Sequence, residues 1–175
     1  MGMMFFVFLA FMIAAVLLRW SRGKPKPYLD EKGKVPVGSI SEKIHVCING
    51  AEQGMFIKSR NVENPVLLFL HGGPGMPEYF LTQRHSIRLE DHFTVCYWEQ
   101  RGAGLSYNPD IPPETLTGEQ LVSDTLAVTL YLRKRFGREK IYLMAHSWGL
   151  ISCQAHTVPS VMKRCTGLVL VRRAR

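Results

Sequence analysis

The segment "LMAHSWGLIS", Leu143 to Ser152, sets a serine between two small residues, Ala145 and Gly149, where an apolar run gives way to a helix-like pattern. A serine at the tip of such a strand-to-helix turn is exposed to an approaching base. The turn is so tight that the positions two before and two after it must be small. That chemistry is nucleophilic: the Ser147 hydroxyl attacks an acyl carbon, provided a base takes its proton. A second segment, "HGGPG" (His71 to Gly75), directly follows the apolar run "PVLLFL". Glycines there let a backbone N–H approach a developing oxyanion with no Cβ in the way. A second N–H for the same oxyanion is expected from Trp148, the residue after the nucleophile.

These residues need rigid elements to hold them. "PVLLFL" (65–70), "FTVCYWEQ" (93–100) and "KIYLMA" (140–145) are continuous apolar runs, as expected of strands buried on both faces of a parallel sheet. "GLVLV" is a further strand. "SISEKIHVCING" and "GMFIKSRN" read as a hairpin separated by "GAEQG". "LTGEQLVSDTLAVTLYLRKRFG" reads as a helix. Thr117 is its N-cap with Gln120 completing a capping box, Gly137 is its stop, and Leu121, Val128, Leu132 and Phe136 share one side. A second helix is expected between Glu78 and Asp91, and a third from Trp148 to near Pro159. Strands alternating with helices after an antiparallel hairpin define an α/β architecture.

Taken in order, "HGGPG", "WEQRGAGLSY" (Trp98 to Tyr107) and "AHSWG" resemble the α/β-hydrolase fold family, and within it the proline iminopeptidase-like serine hydrolases. The resemblance covers about residues 38–171. It implies Ser147 as catalytic nucleophile and the amides of Gly73 and Trp148 as the oxyanion hole. It implies no cofactor and no metal. Where the family's "QRGxGxS" segment is usually preceded by Asp, this chain has Glu99, which keeps the charge and lengthens the side chain. His71, Glu99 and Arg101 are read as groups bracing the loops beside the site. A serine nucleophile favours ester or amide bonds, and the resemblance tilts the substrate toward short peptides with an N-terminal proline.

The family's chain order is Ser, then Asp or Glu, then His. Downstream of Ser147 there is neither Asp nor Glu, and the only histidine is His156. On a helix His156 would stand ~13 Å along the axis from the serine, out of hydrogen-bond reach. His146 adjoins the nucleophile, but the turn is expected to direct the two side chains apart; His45, His85 and His92 read as strand or loop positions. The expectation is an incomplete, N-terminal portion of an α/β-hydrolase domain (38–175), weakly active or inactive as this chain. Two other readings are an enzyme whose Asp and His come from a complementing C-terminal chain, and a non-catalytic membrane-tethered binding module reusing the fold.

Residues 1–18 carry no charge, and a helix of that length reaches ~27 Å, close to a bilayer core. Basic residues follow the run rather than precede it and no A-x-A site is evident. Residues 1–20 are therefore read as an uncleaved single-pass anchor with the catalytic side in the cytoplasm. Phe6 stands where myristoylation at Gly2 needs Ser or Thr. Residues 21–37, rich in Pro, Gly and charge, read as a linker. The net charge of +8 lies in clusters at 19–26, 133–140 and 172–175, which suit a membrane flank, a solvated helix end and a basic tail rather than a nucleic-acid surface. Cys47, Cys96, Cys153 and Cys165 form no C-x-x-C pair and read as small buried apolar residues.

Overall fold

A computed structural model describes residues 7–13, 15, 23–83, 88–152 and 165–171, with the backbone alone at 152 and 165–171. A single mixed sheet has six strands: β1 Ile40–Ile48, β2 Ala51–Ser59, β3 Val66–Leu70, β4 Thr94–Trp98, β5 Ile141–His146 and β6 Cys165–Val171. Their spatial order is β1-β2-β4-β3-β5-β6. β1 and β2 pair antiparallel, β2 joins β4 antiparallel, and β4, β3, β5 and β6 run parallel. Among the described residues from 23 on, three α-helices accompany them: α1 Tyr79–Thr82, α2 Gly118–Phe136 and α3 Gly149–Ser152.

Every residue of β3 and β4 is buried, because both faces of these central strands are covered. On one face Leu68, Leu70, Cys96, Trp98, Ile141 and Leu143 pack with Leu121, Val128 and Leu132 of α2. On the other, Leu67, Phe69, Val95 and Tyr97 pack with Tyr79, Leu105 and Tyr142. β5 differs from the expected two-sided burial: Ile141, Leu143 and Ala145 are buried, whereas Tyr142, Met144 and His146 on its other face are half-buried.

The hairpin turns earlier than "GAEQG". Asn49 and Gly50 both have positive φ (45° and 77°), the pair of left-handed residues that a two-residue turn needs to match the strand twist. Ala51, Glu52 and Gln53 therefore belong to β2, with Ile48 facing Ala51. α2 starts at its expected cap, since Thr117 Oγ1 accepts from the Gln120 amide at 3.1 Å, and it ends at Gly137 in the left-handed conformation. The reciprocal half of a capping box is replaced: Gln120 Nε2 reaches forward and donates to Asp124 Oδ1 at 2.8 Å. The helix expected from Glu78 to Asp91 is only α1 plus a 3-10 turn at Leu89–Asp91, with Arg84 to Ile87 outside the described residues.

Within the expected linker, residues 23–30 touch the sheet. Pro25 is buried, Lys26 O accepts from Ser41 Oγ at 2.8 Å, and the Tyr28 ring lies 4.8 Å from both Lys58 Nζ and the Arg60 guanidinium. Residues 7–13 are helical, and among the described residues no helix is long and apolar enough to cross a membrane; the remainder of the 1–20 segment, residue 15 apart, lies outside them. Cys96 is fully buried, and burial pushes its thiol far up; Cys47, by contrast, is exposed on the edge strand. The helix expected to run on to Pro159, the basic tail 172–175, His85, His156 and Cys153 lie outside the described residues.

Candidate active site

Ser147 sits at the end of β5 with φ +50°, a left-handed conformation that costs a non-glycine residue about 1–2 kcal/mol. The strain is imposed by packing on the far side of the turn. A Cβ on Gly149 would lie 2.4 Å from Leu70 O and 2.9 Å from His71 O, so α3 rests directly on the last carbonyl of β3 and the one that follows it. Only glycine permits that approach. The turn consequently leaves Ser147 and Trp148 exposed while Ala145 and Gly149 are buried.

The loop after β3 meets the same place. Gly73 has φ +128°, and a Cβ there would fall 2.6 Å from the Gly75 amide nitrogen. His71 is 2% exposed, and its ring is used twice. Nε2 accepts from the Gln100 amide at 3.0 Å, and Nδ1–H donates to Gly72 O at 2.8 Å. The first contact needs a lone pair on Nε2, so the ring is neutral, and burial holds its pKa below the ordinary histidine value. The second contact matters for geometry. Gly72 C=O and Gly73 N–H belong to one peptide group and point opposite ways, so fixing the carbonyl on His71 aims the Gly73 N–H away from it. Gln100 Nε2 closes the joint by donating to His71 O at 3.1 Å.

Glu99 is buried at the end of β4, where Oε2 accepts from the Leu105 amide at 2.5 Å. Burial raises its carboxyl pKa, and the Leu105 N–H pulls it partly back. A Cβ on Gly104 would collide with this carboxylate, so the longer side chain occupies the room that Gly104 leaves. Arg101 points the other way. Its Nε donates to Asp124 Oδ2 at 2.7 Å and its Nη2 to the carbonyls of Ile48 and Asn49, tying the loop to α2 and to the hairpin turn. Asp124 is itself fully buried and also accepts from Gln53 Nε2 (2.9 Å), Asn49 Nδ2 (2.8 Å) and Gln120. Glu99 thus closes the 99–106 loop on itself while Arg101 ties it to α2 and the hairpin turn, and neither is hydrogen-bonded to Ser147.

Residues not singled out by the sequence complete the surroundings. His146 Nδ1 lies 2.5 Å from Glu78 Oε1, which also accepts from the Gly72 amide at 3.4 Å. Glu78 carried a readable signal only in following "HGGPG" closely; Asp124 had none beyond its place in a helix. A cleft of about 240 Å³ opens beside Trp148, walled by Pro74, Gly75, Arg101, Leu116 and Leu121. Among the described residues no group of three or more His, Cys, Asp or Glu could hold a metal ion.

The model of the alpha/beta hydrolase fold matches residues 65–171, and the chain belongs to that family. It is 42% identical over 113 residues to "Probable aminopeptidase YbaC" of Bacillus subtilis (strain 168), covering 65% of this chain and 36% of the relative. It is 32% identical over 114 residues to the "Proline iminopeptidase" of Lactobacillus crispatus (strain ST1), covering 62% and 38%. The crystal structure of a proline iminopeptidase-related protein from Thermus thermophilus superposes with a TM-score of 0.61 at 32% identity, over 75% of this chain and 44% of that one. The chain spans a little over a third of the length of the curated relatives it matches.

Proposed function

We propose that Ser147 is the nucleophile of a serine hydrolase acting on ester or amide bonds, with release of an N-terminal proline from short peptides as its reaction. The observation that carries the reading is the left-handed Ser147 at the end of β5, exposed at the point where the Gly73 loop and the Trp148 cleft meet. In this reading Ser147 Oγ attacks the carbonyl carbon and the amides of Gly73 and Trp148 receive the oxyanion. The N-terminal amine of the substrate's remainder then departs with the proton taken from the serine, and water hydrolyses the prolyl ester left on Ser147 Oγ, releasing proline and restoring the hydroxyl. The names of the aminopeptidase and iminopeptidase relatives support the substrate class.

The reaction needs a base, and the histidines around Ser147 are committed elsewhere. His71 has both nitrogens engaged, and His146 Nδ1 is turned to Glu78. The proposal therefore takes the base and its orienting acid from that part of the family's length which this chain does not span, or from a complementing chain. These 175 residues alone are then weakly active or inactive. The test is a chimera joining residues 38–171 to the C-terminal portion of the B. subtilis relative, assayed with proline-p-nitroanilide. Turnover abolished by Ser147→Ala supports the reading, and a folded but inert chimera refutes it.

The proposal includes a single-pass membrane tether through residues 1–20 with the site on the cytoplasmic side. Its support is the uncharged run 1–18 and the basic residues after it. Removing residues 1–20 should then release the chain from sedimented membranes.

A further inference from the structure

We infer that Glu78 is a positioning residue: its carboxylate clamps the oxyanion loop to the strand that carries the nucleophile. The inference rests on the reading of Ser147 as nucleophile and adds a group to which neither the sequence nor the family likeness pointed. Glu78 belongs to a rigid support. Its carbonyl accepts from the Leu81 and Thr82 amides at 3.0 and 3.1 Å as α1 begins. The next residue, Tyr79, stacks on Phe56 at 4.0 Å between ring centroids and meets Tyr97 edge-on at 5.3 Å. From this base the side chain, 14% exposed, turns back six residues to Gly72 and across to His146.

Both polar groups of Gly72 are held as a result. Its N–H donates to Glu78 Oε1, and its C=O accepts from His71 Nδ1 (2.8 Å) and the Met76 amide (3.4 Å). The Gly73 amide inherits its direction from that peptide. The three elements converge on one point. A Cβ on Gly72 would lie 3.0 Å from His146 Nδ1, 3.2 Å from Glu78 Oε1 and 3.3 Å from Ser147 Cβ. The clamp thus sits against the nucleophile's own Cβ, and a loosened Gly72 would shift Gly73 relative to Ser147. Because His146 Nδ1–H donates a hydrogen bond to Glu78 Oε1, the carboxylate does not stand as an unpaired acceptor beside the developing oxyanion.

The test compares the full chain with Glu78→Ala and Glu78→Gln, the second keeping an acceptor oxygen without the charge. Amide hydrogen exchange at Gly72 reads the clamp directly: Glu78→Ala should speed it by roughly tenfold or more, and Glu78→Gln should leave it near wild type. Phenylboronic acid followed by ¹¹B NMR reads the consequence. Ser147 Oγ bonds to boron, the serine proton passes to solvent, and the tetrahedral boronate occupies the oxyanion position. Glu78→Ala should weaken this binding by roughly 10- to 100-fold, with rescue by Glu78→Gln and an unchanged melting temperature. Unaltered Gly72 exchange in Glu78→Ala, or a Glu78→Gln variant as impaired as Glu78→Ala, overturns the clamp. Absence of boronate binding by wild type would mean that Ser147 needs the base this chain does not span, a question the chimera answers, while exchange still decides whether the clamp exists.

Discussion

Gly149 and Gly118 offer the same substitution at the first residue of two helices, with opposite expected outcomes. A Cβ on Gly118 would meet only Ile151 Cγ2 at 3.7 Å, an ordinary contact. Alanine also favours a helix over glycine by up to about 1 kcal/mol, so Gly118→Ala should be neutral or slightly stabilising. A Cβ on Gly149 would sit 2.4 Å from Leu70 O, about 0.6 Å inside the 3.0 Å that real Cβ atoms respect, and the obstacle is backbone on a central strand. Neither side can rotate away, so α3 must lift. Overpacking of this kind costs about 1–3 kcal/mol, and the helix propensity gain returns less than about 1 kcal/mol at a first-turn position. The net loss is about 1–2 kcal/mol, or roughly 2–8 °C in Tm for a chain of this size. The lift also moves the Trp148 amide, and a displacement of that order should weaken phenylboronic acid binding about tenfold. Urea and thermal unfolding of the two variants check the first part, boronate titration the second. Equal stability of Gly149→Ala and Gly118→Ala would refute the claim that contact with β3 shapes the nucleophile turn.

Two further outcomes follow from buried polar groups. Asp124→Ala leaves the Arg101 guanidinium, 7% exposed, without its carboxylate, together with the amides of Gln53 and Asn49, and should cost about 3–5 kcal/mol. Asp124→Ala combined with Arg101→Met should recover part of that loss in a double-variant cycle of urea midpoints; an additive cycle would contradict the pairing. His71, whose folded pKa is depressed by burial, resists the proton that the unfolded chain accepts. Its contribution to stability is complete above the unfolded value near 6.5 and is lost as pH falls toward the folded value, with a slope of up to about 1.4 kcal/mol per pH unit. His71→Gln should remove that component of the slope below about pH 6.5 in pH-dependent urea melts.

The parts of this fold that the sequence discloses are those in which neighbours along the chain determine the shape. Thr117 and Gly137 bound α2 because capping is settled within a few residues, and the five-residue apolar strands β3 and β4 need no partner to be recognised. "AHSWG" discloses the turn because its small positions answer a local steric demand. Misreadings arise where a polar residue is buried by something distant. Glu52 and Gln53 look like a turn in "GAEQG", yet Gln53 is fully buried, accepting from Trp98 Nε1 at 2.9 Å and donating to Asp124 seventy-one positions away. No local pattern can show that pairing, and the real turn at Asn49–Gly50 is masked by it. The proline-rich segment likewise hides its contacts, since Lys26 meets Ser41 of β1 and Tyr28 meets Lys58 of β2 and Arg60, all distant in sequence.

Glu78 is the sharpest instance at the site itself. Its partner His146 is sixty-eight positions on, and the two meet because β3 and β5 are parallel neighbours whose C-terminal ends project on the same side. Gly72 next to β3, and Ser147 next to β5, are brought together by that same pairing, and Gly72 has to lack a Cβ for all four groups to fit. The chemistry of the site is therefore written in single motifs, but its geometry is written in the strand order. A residue such as Glu78, which joins two motifs without belonging to either, becomes visible only when the sheet places them side by side.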